Sequence, residues 1–283
     1  MAPQTITVIG GLDADLIMIA NRLPERGESV LANEYMEALR GKGANSAIAT
    51  YRTCHKRPAV QGQGAMEGLS LADDDSIEVK MIGAVDDDRY GGEFIAELKK
   101  NGVDTSGIVM VPDTRSSVCF VMVEHSTREN RCLFTLGATA TWKKEHFSNA
   151  DQLDGGAGGA RPDLVVAQME ITRDVVEVMI ETAGKVGIDF CLSAAHAIPI
   201  GERFCRYLTH LLVNESEAAI MSGQEKDEVD KDSWPIIAQE FLNRGVKNVV
   251  IMLGARGAFY ANADGSGHCP AYEVVVKDTT GAG

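Results

Sequence analysis

The stretch Asp163–Leu192, DLVVAQMEITRDVVEVMIETAGKVGIDFCL, decides the fold class. Its first seven residues, Asp163–Met169, form an apolar run that is typical of a buried strand, and Ile188–Leu192 is a second such run. Between them, Thr172–Gly184 carries its apolar residues at helical spacing, with Thr172 as the predicted N-cap. A strand, a helix and a strand within about thirty residues predict a βαβ unit with parallel strands, and therefore an α/β fold.

The same alternation continues toward the C-terminus. Strands are predicted at Leu211–Val213 and Asn248–Leu253, and helices after Asn214 and over Trp234–Asn243. Each helix therefore lies between two strands, as the crossover connections of a parallel sheet require.

The N-terminal half contains a second kind of pattern. Consecutive extended segments occur at Ile6–Gly10, Asp15–Ala20 and Ser29–Ala38, and a further strand-rich region covers Ser116–Glu124 and Arg131–Leu136. Because no helix separates these segments, they predict a small antiparallel element attached to the parallel sheet. Such an element suits either a lid or a dimer interface.

Composition and charge exclude several classes of protein. The 283 residues are 45% apolar, with 27 Lys+Arg against 41 Asp+Glu and a net charge of −14, which predicts a folded core but no general nucleic-acid or anionic-membrane surface. No apolar run is long enough for a membrane helix, and the N-terminus lacks the pattern of a signal peptide. The six cysteines are scattered without a C-x-x-C pair, which favours reduced thiols in the cytoplasm. The histidine spacing predicts no structural zinc site.

The usual phosphate-binding motifs of α/β proteins are absent from the sequence: neither the Walker A pattern nor G-x-G-x-x-G occurs. After the first strand stands Gly10–Asp15, GGLDAD, whose carboxylates Asp13 and Asp15 would repel a pyrophosphate. They suit a polyol, whose hydroxyls donate to carboxylate oxygens. The same two residues also suit a simple turn between strands, and both interpretations stay open.

A glycine-rich segment, Arg40–Asn45 with the sequence RGKGAN, precedes an apolar helix that is predicted to begin near Ala44. The glycines allow close approach of the backbone to a ligand, and the helix start directs free N–H groups toward the same place. Lys42 adds a cation and Asn45 an amide. An ordinary glycine-rich helix entry is the alternative interpretation.

Three further motifs lie at predicted strand or helix ends. Asn214–Glu217, NESE, fits a helix capping box and equally an amide and carboxylate facing a nucleotide and Mg²⁺. Leu253–Gly257, LGARG, is either a tight turn or a turn against a nucleotide. Asp278–Gly283, DTTGAG, would align successive backbone N–H groups into an anion hole.

The order GGLDAD, GKGAN, QME, NESE, LGARG and DTTGAG resembles that of the ribokinase-like (PfkB) carbohydrate kinases, over about Ile6–Gly283. The resemblance implies one domain, 1–283, with a central, mostly parallel sheet flanked by helices. It also implies a small β lid within about 12–40 and 105–137. The implied activity is that of a transferase, an ATP-dependent kinase that phosphorylates a primary sugar hydroxyl. Ribose O5 is the first choice, giving ribose 5-phosphate.

The resemblance also implies roles for individual residues. The sugar hydroxyls would be held by Asp13, Asp15, Gly41, Lys42, Asn45 and Glu170. The ATP nucleotide would contact Asn214, Glu217, Gly254, Ala255, Arg256 and Gly257, with Glu217 acting indirectly on Mg²⁺. The anion hole would be formed by Gly281, Ala282 and Gly283, and an activating K⁺ would be bound by Asp278 and Thr280.

The sequence departs from the family pattern at several places. The general base of the family is an Asp directly after G-A-G, and the sequence ends at Gly283, so we expect a missing C-terminal part and an inactive 283-residue chain. Arg40 stands in place of a Gly, Asp13 in place of an Asn, and Met252 in place of a Thr. The first two leave the identity of the sugar open.

Two alternatives follow from these departures: a kinase of the same family for another sugar or a nucleoside, and a catalytically inactive, truncated binding protein. The expected partners are ribose or a similar sugar and ATP, without nucleic acid or membrane, and with a homodimer through the lid. The expected location is the cytoplasm, or also the nucleus in a eukaryote.

Overall fold

The computed structural model describes residues 4–55, 77–127, 129–155, 161–223 and 233–273. Its strands are β1 (Thr5–Ile9), β2 (Asp13–Ala20), β3 (Glu34–Arg40), β4 (Glu78–Val85), β5 (Asp104–Met110), β6 (Ser117–Glu124), β7 (Asn130–Phe134), β8 (Leu164–Gln168), β9 (Asp189–Ser193), β10 (His210–Asn214), β11 (Asn248–Met252), β12 (Ala258–Asn262) and β13 (Gly265–Cys269). The helices are α1 (Lys42–Cys54), α2 (Arg89–Lys100), α3 (Arg173–Val186), α4 (Glu202–Cys205), α5 (Glu215–Ser222) and α6 (Trp234–Asn243).

A nine-stranded sheet forms the centre of the described structure, in the order β13-β12-β11-β10-β9-β8-β1-β4-β5. The strands from β11 to β5 are all parallel, and β12 and β13 add an antiparallel edge. Separate apolar clusters pack with α1 and α2 and with α3 and α6, as expected for a sheet with helices on both faces. The predicted α/β fold with a mostly parallel central sheet is confirmed.

The predicted βαβ unit is β8–α3–β9. The apolar stripe of α3 is buried because its residues recur at helical spacing and face the sheet: Val175, Val176, Met179, Ile180 and Ala183. Thr172 lies at the N-cap but makes no side-chain capping bond, so its predicted position is right and its predicted bond is absent. Gly187 ends the helix with φ 77°, a backbone conformation that favours glycine.

A second, four-stranded sheet has the order β3-β2-β6-β7, and we call it the lid. The pairs β2–β3 and β6–β7 are antiparallel, but β2 and β6 are parallel, so the prediction of an antiparallel element was wrong at this junction. The physical reason is that the lid consists of two antiparallel pairs, β2–β3 and β6–β7, and that β2 and β6, the first strand of each pair, lie side by side in the same direction. Ile17, Ile19, Val121 and Val123 form a buried cluster across that junction.

Two predicted boundaries differ from the structure. The range 105–137 also contains most of β5, which pairs with β4 in the central sheet rather than within the lid. The extended segment predicted at Ser29–Ala38 contains strand β3, which begins only at Glu34 and continues to Arg40. Among the helices of the described residues, none is long and apolar enough to cross a membrane.

Candidate sugar and nucleotide site

The predicted site segments meet at one edge of the central sheet. Parallel strands β1, β8, β9, β10 and β11 all end there, and their final residues are in register: Gln168 opposite Ser193, and Asn214 opposite Met252. The GGLDAD, QME, NESE and LGARG motifs each begin at or just after one of these strand ends. Ligands of open α/β sheets bind at this carboxyl edge.

Three buried carboxylates gather beside the first strand end. Asp13 and Asp15 begin β2, and Glu170 follows β8; all three are at most 9% exposed. The hydroxyl of Ser117, which pairs with Asp13 across β2 and β6, donates to Asp13 Oδ1. Burial, followed by the negative charge of Glu170, raises the pKa of Asp13 from 3.8 to about 7. Asp13 therefore titrates near neutral pH.

Asp15 lies between opposing charges. The pKa of Asp15 is raised to about 6, mainly because the carboxyl group is buried. The cation Arg40 acts against this rise, Glu170 adds to it, and Lys42 opposes it more weakly. The Arg40 Nε atom is 3.8 Å from Asp15 Oδ2. The arginine that replaces a family glycine therefore lies against the acidic cluster and offsets part of its charge.

The glycine-rich segment packs directly against the GGLDAD turn. Gly41 has φ 87°, and a Cβ there would lie 2.6 Å from both Asp13 N and Gly11 O, so only glycine fits. Gly43 N donates to Gly11 O at 3.1 Å, and Lys42 N donates to Glu170 Oε2 at 2.9 Å. Helix α1 consequently begins at Lys42, two residues before the predicted start.

A small cavity joins the predicted sugar residues to the predicted nucleotide residues. Its volume is ≈ 100 Å³, and it is lined by Lys42, Asn45, Ser46, Gln168, Ser193, Ala195, Glu217 and Met252. Gln168 Nε2 donates to Ser46 Oγ at 3.0 Å, but the buried Gln168 Oε1 has no hydrogen-bond partner among the described residues. This oxygen is covered by protein atoms and lies against Gly10, where an added Cβ would come within 2.0 Å of it.

The NESE motif forms the predicted capping box. Glu217 N donates to Asn214 Oδ1 and Asn214 N donates to Glu217 Oε2, both at 2.8 Å. These bonds fix both side chains, and Glu217 also lines the cavity. The capping and ligand-binding interpretations are therefore compatible in the folded chain.

The LGARG motif contacts the helix that follows NESE. Gly254–Arg256 is a short 3₁₀ turn, closed by a hydrogen bond from Leu253 N to Gly257 O at 2.8 Å. The Arg256 guanidinium pairs with Glu215 and lies 5.1 Å from the centre of the Trp234 ring. Arg256 is thus held by protein groups, while Gly254 and Ala255 are exposed beside it.

Two residues of the site lack any signal in the sequence. Ser117 reaches Asp13 only because β2 and β6 pair in parallel. His196, after β9, has its Nε2 atom 3.6 Å from Glu170 Oε1 and belongs to no motif. Each contact joins segments that are distant along the chain, so spacing alone could not reveal it.

The predicted anion hole and K⁺ site fall outside the described residues. These remain predictions for Asp278, Thr280, Gly281, Ala282 and Gly283. A larger cavity of ≈ 330 Å³ lies beside β4 and β5, and none of the predicted sugar or nucleotide residues lines it.

Comparison with known proteins places the chain among carbohydrate kinases. The family model for pfkB family carbohydrate kinases matches residues 3–283. The ribokinase of Schizosaccharomyces pombe is 31% identical over 282 residues, which cover 98% of this chain and 81% of that relative. A deoxyribokinase of Salmonella typhi is 28% identical over 280 residues, with the same coverage of 98% and 81%.

A solved structure shares the fold. The structure of the Arabidopsis thaliana ribokinase complexed with ribose and ATP matches with a TM-score of 0.74 at 21% identity. The match covers 95% of this chain and 78% of that chain.

Proposed function

Because the chain belongs to the pfkB family of carbohydrate kinases, we propose that its site binds ATP together with a pentose, D-ribose being the first choice, for phosphoryl transfer to O5. The observation that carries this proposal is the ≈ 100 Å³ cavity that Lys42 and Asn45 share with Glu217. It adjoins the acidic cluster through Lys42, whose backbone N–H donates to Glu170 Oε2, and the NESE motif through Glu217, so a sugar hydroxyl and a phosphate group could meet there. Phosphoryl transfer depends mainly on such positioning.

The acidic cluster suits the hydroxyls of a sugar. Ionised carboxylates only accept hydrogen bonds, and a polyol supplies several donors. With its pKa near 7, Asp13 is partly protonated at neutral pH and can also donate, as the amide of the usual family Asn does. Asp15 and Glu170 complete the set of acceptors.

The other end of the cavity suits the nucleotide phosphates. Glu217 is fixed by its cap, and Lys42 brings a cation to the same cavity. Mg²⁺ bound with ATP would lie toward Glu217 and would neutralise negative charge on the phosphate oxygens. The N-terminus of α1 contributes a positive dipole end at this place.

The names of the relatives support a pentose as the substrate. They leave open whether the site requires the 2-hydroxyl of ribose, which is therefore the point to test. One relative is a ribokinase and another a deoxyribokinase. The deciding experiment titrates the 283-residue chain calorimetrically with ribose, 2-deoxyribose, fructose and adenosine, with and without a non-hydrolysable ATP analogue and Mg²⁺. We expect the tightest binding for ribose. Preferred binding of another compound would overturn the ribose assignment, and no binding of any sugar would overturn the proposed function.

Turnover tests a separate expectation. The same chain, ATP, Mg²⁺, K⁺ and ribose are followed by phosphorus NMR for ribose 5-phosphate. A kinase that acts on ribose predicts ATP-dependent formation of this product above the rate without protein. Rapid formation of ribose 5-phosphate would support the kinase assignment, and a product formed from another sugar but not from ribose would overturn the choice of ribose.

A further inference from the structure

His196 connects the lid to the acidic cluster. It lies in the segment after β9, and its Nε2 atom is 3.6 Å from Glu170 Oε1. Its imidazole stacks on the ring of Phe134, with centroids 4.6 Å apart and planes inclined by 23°. Phe134 is the last residue of β7, the edge strand of the lid. One side chain therefore contacts both the lid and a carboxylate of the central sheet.

The backbone of His196 is held in an uncommon conformation. Its φ is 63°, and Asp113 is the only other non-glycine among the described residues with a positive φ. Histidine adopts this region more readily than most residues, but it remains a minority conformation that the surroundings must maintain. The stack on Phe134 and the proximity to Glu170 are the contacts that depend on it.

Glu170 is oriented from both sides. Its Oε2 atom accepts the hydrogen bond of Lys42 N at 2.9 Å, which ties it to the start of α1. Its Oε1 atom faces His196, whose ring also contacts Phe134 at the end of lid strand β7. The orientation of the carboxylate is therefore coupled to the position of β7 through one imidazole.

We propose that His196 is a positioning residue that couples the lid to the sugar site: its stack on Phe134 holds the end of β7 over the site, while its Nε2 atom orients Glu170 toward the sugar. The sugar-binding part of this inference rests on the proposed function; the coupling of β7 to His196 does not. His196 acts through Glu170 and Phe134, so its removal should weaken sugar binding and spare the nucleotide.

The coupling is tested first without any ligand, by amide hydrogen exchange. In His196→Ala and in Phe134→Ala, the amides of 130–134 should exchange about threefold faster or more, because β7 is an edge strand that loses its contact with the central sheet. The double variant should add little to either single change, since both remove the same contact. Phe134→Tyr keeps the stacked ring and should retain the original exchange. His125→Ala, in the turn between β6 and β7, is the matched control for loss of a lid histidine.

Sugar binding is tested on the same proteins by ribose titration. We expect His196→Ala and Phe134→Ala each to weaken ribose about tenfold, non-additively, and to change affinity for the ATP analogue less than twofold. Phe134→Tyr and His125→Ala should bind ribose as the original chain does. Unchanged exchange of β7 overturns the coupling, and unchanged ribose affinity overturns the orienting role. If the original chain binds no sugar, the proposed function fails, while the exchange result still decides the coupling.

Discussion

Replacing Asp13 by Asn should stabilise the protein increasingly as the pH rises. Asp13 is 6% exposed, and burial together with Glu170 raises its pKa from 3.8 to about 7. A carboxyl group with a raised pKa favours the folded state below pH 3.8, and this contribution is lost as the pH rises to about 7. Above pH 7 the folded protein holds an ionised, buried carboxylate, which costs about 4 kcal/mol in total at about 1.4 kcal/mol per pH unit.

The magnitude of the pH dependence follows from the same values. About 2 kcal/mol of this cost arises between pH 5.5 and pH 8, because Asp13 of the unfolded chain is already ionised there while that of the folded state ionises around pH 7. The amide of the variant does not titrate, so those consequences of the substitution that do not depend on pH cancel in the comparison. Glu170 and Asp15, whose charges act on Asp13, also lose a charged neighbour, so the change belongs to the interacting carboxylates rather than to Asp13 alone. The free energy of unfolding of Asp13→Asn minus that of the original chain should therefore rise by about 2 kcal/mol between pH 5.5 and pH 8.

The assay is urea unfolding at 25 °C, followed by tryptophan fluorescence at several pH values. Asp15→Asn is the informative comparison, because the Asp15 pKa of about 6 predicts a smaller rise that ends about one pH unit earlier. A stability difference for Asp13→Asn that is the same at pH 5.5 and pH 8 would refute the assignment of a neutral-range pKa to this carboxyl group.

Two further predictions concern packing and charge. Gly41→Ala should lower the free energy of unfolding by about 2–4 kcal/mol and abolish ribose binding, because its Cβ would overlap the GGLDAD backbone. The control is Gly27→Ala, which has a similar φ but open space around it and should lower the free energy of unfolding by only about 1 kcal/mol and leave binding intact. Equal losses for the two variants in urea unfolding would contradict the steric argument. Lys80→Met should lower the free energy of unfolding by about 3–5 kcal/mol, because it leaves the buried carboxylate of Asp154, whose Oδ1 is 2.8 Å from Lys80 Nζ, without its cation. Lys247→Met breaks an exposed ion pair and should lower the free energy of unfolding by less than about 1 kcal/mol. A comparable loss in both variants would exclude burial as the cause.

Periodicity and the motifs predicted the parts of the molecule that local sequence determines. The helical spacing in α3 and the apolar runs at β8 and β9 follow directly from which residues face the sheet. The sequence likewise predicted the capping box at Asn214 and Glu217, because this contact links residues that are only three positions apart. Parallel strands then bring their carboxyl ends to one edge, which is why motifs distant in the sequence share one site.

Contacts between distant segments could not be predicted from the sequence in this way. The parallel junction of β2 and β6 brings Ser117 to Asp13, and nothing in either segment specifies that pairing. The early start of α1 depends on how closely Gly41 approaches the preceding turn. The pairing of Arg256 with Glu215 and the approach of His196 to Glu170 also depend on the tertiary arrangement.

The most direct test of the account is a calorimetric ribose titration of the original chain beside Glu170→Gln. Glu170 is buried, accepts the hydrogen bond of Lys42 N and belongs to the acidic cluster that we assign to the sugar. We predict measurable ribose binding by the original chain, a loss of about tenfold or more in Glu170→Gln, and no change in the control Glu97→Gln, a half-buried glutamate on α2. Equal ribose affinity in the original chain and Glu170→Gln would contradict the assignment of this cluster to the sugar.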